Sequence, residues 1–185
     1  PPPPRVVLIS VFTALGAVWS FAAGRSMDDL AKMTFPDVLR EASCTMFIIG
    51  MFIVTYNLYD AMGCGMAKRN AGLLSKPYKD WPGQIPEVVY VAERAQMNQV
   101  EQMASFMVAS LTFSIVVNGR VGGVLSLIWF VLRLIYTHQY RTSAGVPLAK
   151  KMLAKYTVPC YFIIQTMTIG TMIHLLRFSY ATPQP

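Results

Sequence analysis

The sequence predicts an all-α membrane protein, and three observations lead there. Of 185 residues, 54% are hydrophobic and only 14% are charged, with a mean hydropathy of +0.43. A soluble surface of this size needs roughly 25% charged residues. The charges are also spaced so that uncharged runs reach the length of a bilayer crossing, about 20 residues. Finally, no alternating strand pattern of the barrel type occurs. Because lipid leaves backbone groups no outside partner, helices are the remaining way across.

The gaps between charges place each helix. Arg5 to Arg25 encloses 19 uncharged residues, Glu41 to Asp60 encloses 18, Glu101 to Arg120 encloses 18 and Lys155 to Arg177 encloses 21. Between Arg120 and Arg141 the run is interrupted by Arg133, with 12 uncharged residues before it and 7 after. Five helices follow, at about 6–24, 42–62, 95–117, 121–140 and 157–178. The first is read as a retained helix rather than the core of a signal peptide, whose apolar run is shorter. The opening Pro-Pro-Pro-Pro-Arg in place of Met suggests a processed or trimmed product.

With five spans, one face receives Arg5, Lys68, Arg69, Lys76, Lys79, Arg94, Arg141, Lys150, Lys151 and Lys155, and the other only Arg25, Lys32, Arg40, Arg120 and Arg177. The first face is therefore cytosol-like, matrix-like or stroma-like. Basic loops beside spans account for the net charge of +7, and no nucleic-acid partner is expected. Bound membrane lipids are.

The connector at 25–41 carries mixed charge and suits a short interfacial helix that Pro36 interrupts. The connection at 63–92 is irregular, with Tyr78 and Trp81 as interfacial anchors. The short NGRVGG link makes the third and fourth helices antiparallel neighbours. Cys44, Cys64 and Cys160 have no ligand or pairing spacing and read as buried free thiols. No metal site is expected from the isolated His138 and His174.

Polar residues inside spans mark function by default. Arg94, Asn98 and Glu101 lie on one stripe of the third helix, next to Glu93. Arg133, Tyr136 and Tyr140 share a face of the fourth. Both clusters sit toward the basic side. Two readings stay open. The set suits a small zwitterionic ligand, with arginines on its carboxylates, Glu101 on its ammonium and Asn98 fixing orientation. Alternatively, Arg133 and Glu101 neutralise each other as an inter-helix ion pair capped by the tyrosines.

The runs ERAQMNQVEQMASF and NGRVGGVLSLIWFVLRLIYTHQYR, with the Pro159-Cys160 pair that opens the last helix, resemble the MAPEG family, membrane-associated proteins in eicosanoid and glutathione metabolism. That family has an Arg–Asn–Glu motif opening its second helix and an Arg…Tyr…Gly-Tyr motif ending its third. The resemblance covers about residues 43–178. It implies a four-helix transmembrane bundle at 42–180, with an additional N-terminal transmembrane helix and connector at 1–41 and a tail at 181–185. It further implies a homotrimer binding glutathione between protomers near the cytosol-like face. By position, Arg94, Asn98, Glu101, Arg133, Tyr136 and Tyr140 match the glutathione-binding residues, and Lys68 or Arg69 the basic residue after the first family helix.

Three departures bear on activity. Met97 stands where family members often have a second Arg. Gln139 replaces the Gly before Tyr140. The region TSAGVPLAKK lacks the Arg with which the eicosanoid synthases stabilise the thiolate, leaving Lys150 or Lys151, with Tyr140, as catalytic candidates. The resemblance implies a glutathione transferase or peroxidase for lipophilic substrates, in an organelle such as the mitochondrion or in the endoplasmic reticulum. The alternative is a non-catalytic accessory subunit of a larger organellar complex (respiratory, ATP synthase or photosynthetic), attached to other membrane subunits through the N-terminal helix.

Overall fold

The computed structural model describes residues 14–22, 24–142 and 153–181, and every described element is helical. In chain order these are α1 (14–22), α2 (Met27–Ala31), α3 (Phe35–Thr55), α4 (Met62–Asn70), α5 (Glu87–Val116), α6 (Gly119–Thr142) and α7 (Val158–Ala181). A π-helical segment, Tyr56–Ala61, joins α3 to α4 without a break, so Phe35–Asn70 is one continuous 36-residue helix. A second, Leu153–Thr157, leads into α7. Of the predicted first span, 6–24, only 14–22 and Gly24 fall within the described residues.

Local chemistry sets the helix starts. Ser26 caps α2 by accepting the Asp29 N–H at 3.1 Å. The Thr34 N–H and hydroxyl both donate to the Asp37 carboxylate, at 3.0 and 2.6 Å, fixing the start of α3. Pro36 then lies in the first turn of α3. It begins that helix rather than interrupting a shorter one, because a first-turn residue has no N–H to contribute to the ladder. The 42–62 helix is therefore longer than predicted at both ends. The Asn118 side chain accepts the N–H groups of Arg120 and Val121 at 3.0 and 3.1 Å, which starts α6 with only Val117 and Asn118 between it and the end of α5. The antiparallel α5–α6 pair follows.

Among the described residues, three helices are long and apolar enough to cross a membrane: Phe35–Asn70, Gly119–Thr142 and Lys155–Arg177. At 30 residues, α5 is about 45 Å long. It is not among the three, because Glu87, Glu93, Arg94, Asn98, Gln99, Glu101 and Gln102 crowd its first half. Instead α5 is the hub, packed against α3, α4, α6 and α7. Its other half joins the main core, where Trp129 stacks on Phe106 with ring centroids 3.7 Å apart and Phe52 stands edge-on to both. Among lipid tails, such interdigitation holds helices together more than apolar burial does.

Small residues bring the helices close. A Cβ on Gly123 would meet the Cys44 sulfur at 2.8 Å, and one on Gly122 would strike the Ser114 side chain. Beside them the Thr45 and Ser114 hydroxyls bond across α3 and α5 at 2.6 Å. Cys44 is exposed, contrary to the expectation of three buried thiols, whereas Cys64 and Cys160 are buried. On a lipid-facing helix flank a thiol has no water to escape.

The α1 helix lies on α7. Gly16 approaches Ile169 and the backbone of Gly170 too closely for any Cβ. The Ser20 hydroxyl and His174 Nδ1 are 3.5 Å apart, and Arg177 donates to the Ser20 carbonyl at 3.0 Å. Arg25 pairs with Glu41 and donates to the Ile115 carbonyl at 2.6 Å. That end of the bundle is thus tied together, and α4, the start of α5 and the end of α6 meet at the opposite, basic end.

Candidate functional site

Both polar clusters meet at the basic end, through a part of their residues. Asn98 Nδ2 donates to the Tyr136 hydroxyl at 2.6 Å, and the Tyr136 ring stacks with Tyr140 at 5.6 Å. Beneath them lies Arg133, only 1% exposed. Its Nε donates to Gln99 Oε1 at 2.7 Å and its Nη2 to the Asn98 carbonyl at 2.6 Å. The guanidinium also sits over the Tyr136 ring, 4.7 Å from its centroid. Its Nη1 is a buried donor with no partner among the described residues. Asn98, Arg133, Tyr136 and Tyr140 therefore form one group.

Arg94 and Glu101 do not join it. Both are exposed on the outer side of α5. The ion pair between Glu101 and Arg133, one of the two readings of the sequence, is not formed. At 100° per residue, the stripe through Arg94 and Glu101 lies about 100° round the helix from the stripe through Ala95, Gln102 and Phe106, which is the one that turns inward. Asn98 falls between them and serves the inner side. Glu93 is taken by Lys68 at 2.8 Å, and Lys68 also stands 5.5 Å from the Trp81 ring, which stacks on Tyr78. Arg69 is exposed at the end of α4. Lys150 and Lys151 lie outside the described residues. Arg94 and Glu93 open onto a cleft of about 450 Å3, lined also by Lys68, Tyr78, Tyr90 and Met97. Sites for small molecules run from roughly 300 to 1,000 Å3.

The structure adds residues that the sequence reading passed over. The π-helical segment turns three of its side chains toward α5 and α6, and Asp60 among them reaches the polar group through Gln99. The Tyr56 hydroxyl accepts from Gln96 at 3.2 Å. The Tyr59 hydroxyl and His138 Nδ1 are 3.3 Å apart, while Arg141 donates to the Tyr59 carbonyl and covers its ring at 4.7 Å. Asp60, 3% exposed, receives Gln99 Nε2 at 3.5 Å. The same Nε2 donates to the Thr137 hydroxyl. Segments of this geometry often mark functional sites. In the sequence Asp60 only closed an apolar run. The signal for Gln99 and Gln102 was their place on the same stripe as Phe106, Ala109 and Phe113.

The family model of the MAPEG family matches residues 42–170. The chain belongs to the MAPEG family. It is accordingly an integral membrane protein of the family concerned with glutathione and eicosanoid metabolism. The match spans α3 to most of α7, and α1 and α2 precede it. Neither the curated proteins nor the solved structures include a match to this MAPEG chain.

Proposed function

We propose that this MAPEG protein binds glutathione at its basic end and uses it as a transferase or peroxidase on lipophilic substrates drawn from the bilayer. The observation that carries this reading is the Asn98–Tyr136 contact with Arg133 buried beneath it. Two motifs distant in sequence meet there around a guanidinium donor that has no partner among the described residues. A buried Arg N–H without an acceptor suits an anionic ligand group, since its burial is costly until it is paired. Glutathione supplies two carboxylates, an ammonium and a nucleophilic thiolate.

In this reading Arg133 holds a carboxylate, and Asn98 and Tyr136 fix the peptide portion. Tyr140 points its hydroxyl to the sulfur and stabilises negative charge there. Arg94, Glu101 and Arg69, exposed on one protomer, complete the site in a homotrimer where a neighbouring protomer covers them. A bare carboxylate on the outer side of a membrane helix is costly unless something polar meets it. Lys150 or Lys151 adds positive charge that favours the thiolate.

The test is glutathione titration of the purified protein by calorimetry, followed by turnover with a chlorodinitrobenzene-type electrophile. Saturable binding and thiolate absorbance are expected. No heat, no thiolate signal and no turnover together overturn the reading. A second reading has its own support in α1, which precedes the family match and is clamped to α7. It is that of a non-catalytic accessory subunit of an organellar complex, with α1 as the attachment. Extraction in gentle detergent separates the two, because a free homotrimer as the sole species counts against attachment.

A further inference from the structure

The side-chain amide of Gln99 has two different ends and chemically opposite neighbours. Its Oε1 takes the Nε–H of Arg133 at 2.7 Å, and that group only donates. Its Nε2 faces the Thr137 hydroxyl, the Arg133 carbonyl at 3.4 Å and the Asp60 Oδ2 at 3.5 Å. Turning the amide by half a revolution would set NH2 against an arginine N–H and oxygen against a carboxylate. One orientation is therefore permitted. Thr137 does not enforce it, because a hydroxyl both donates and accepts. The Arg133 carbonyl is already occupied by its own helix ladder. The Arg133 Nε–H, which only donates, and the Asp60 carboxylate, which accepts, set the same sense from the two ends of the amide, and the residues concerned are at most 3% exposed.

The consequence reaches Arg133. A guanidinium is planar and rigid, so fixing two of its nitrogens fixes the third. Nε is held by Gln99 and Nη2 by the Asn98 carbonyl, leaving Nη1 as the donor without a partner. We propose that Asp60 and Gln99 are positioning residues: by locking the Gln99 amide they set the plane of Arg133 so that its free Nη1 meets a carboxylate of the ligand. This rests on Arg133 being a glutathione contact. Asp60 itself does not touch the ligand and acts only through Gln99.

The experiment is a double-mutant cycle on the full chain in detergent, read as the glutathione dissociation constant with thermal melting recorded in parallel. Asp60→Ala and Gln99→Ala each weaken binding about tenfold when Arg133 is present, a size typical of coupled buried groups. In the Arg133→Lys background, where the fork is gone, neither changes affinity by more than about twofold. Asp60→Asn retains an acceptor oxygen and recovers most of the loss. A residue that merely supports the bundle would lower the melting temperature and leave affinity unchanged, or weaken it equally in both backgrounds. Either result overturns the proposal. Should Asp60→Ala not fold, the cycle with Gln99→Ala decides by the same criterion. Absence of glutathione binding by the unsubstituted protein is a different result, which removes the functional reading itself.

Discussion

Helix α5 presents two polar stripes, and the protomer treats them in opposite ways. The inner one, through Gln99 and Gln102, is closed over by the Phe35–Asn70 helix and α6, and Gln99 bonds to Asp60 of the π-helical segment and to Arg133 and Thr137 of α6. The outer one, through Arg94 and Glu101, stands open on the bundle's side. Around Gln99 the cost is offset, because Arg133, Thr137 and Asp60 sit beside it, while Gln102 Oε1 is buried without a partner among the described residues. The outer stripe carries full charges with no such enclosure. The difference teaches that a polar residue in a membrane helix has to be assigned to a side before it is assigned a role. Inner residues hold the protomer together, and outer residues wait for something that arrives.

Four substitutions sharpen that contrast. The largest loss is expected from Arg133→Leu, which leaves Gln99 Oε1 and the Asn98 carbonyl without the donor that each bonds. About 2–4 kcal/mol of stability should disappear, the cost of two buried acceptors each losing its partner. Unfolding by denaturing detergent, followed through the fluorescence of the buried Trp129, measures it. Gln99→Leu comes next, at about 1–3 kcal/mol by the same assay, since it strips a donor from Asp60 and an acceptor from Arg133. An unchanged unfolding curve for this variant would mean that the inner stripe is not a stabilising network at all. The smallest effect on stability belongs to Arg94→Ala and Glu101→Ala, within about 0.5 kcal/mol each. These two should nonetheless weaken glutathione binding about tenfold or more, by loss of charge-assisted contacts. If they destabilise the protomer as strongly as Gln99→Leu does, the distinction between the stripes fails.

The sequence showed the outer stripe more readily than the inner one, for a physical reason. Arg94 and Glu101 are charged, so they stand out against an apolar background. Gln99 and Gln102 are neutral and blend with the polar opening of α5. The helices themselves were legible from the charge gaps, with ends displaced by a few residues where capping decides. Thr34 with Asp37, and Asn118 ahead of α6, set starts that hydropathy does not register. Arg133, Tyr136 and Tyr140 were legible because i, i+3 and i+7 spacing is a helix face. Asp60 was not. A count at 3.6 per turn puts it on the stripe of the buried Ala42 and Ile49, yet a charge that closes an apolar run reads as a helix end rather than as a buried partner.

The π-helical segment at Tyr56–Ala61 has a further consequence for how tolerant the chain is to changes in length. A π-helical segment behaves as one extra residue accommodated within an α-helix. Deleting one residue between Tyr56 and Ala61 would restore the ordinary ladder, leaving every backbone hydrogen bond intact and the hydropathy of the span nearly unaltered. The helix on either side would keep nearly its present phase, because the widened turn is what absorbs the extra residue. Lys68 would therefore keep Glu93. What would be lost is local: the places of Tyr56, Tyr59 and Asp60 against α5 and α6. Secondary structure would look improved while the segment's polar contacts disappeared, so its length is under a stricter constraint than the hydropathy of the span suggests.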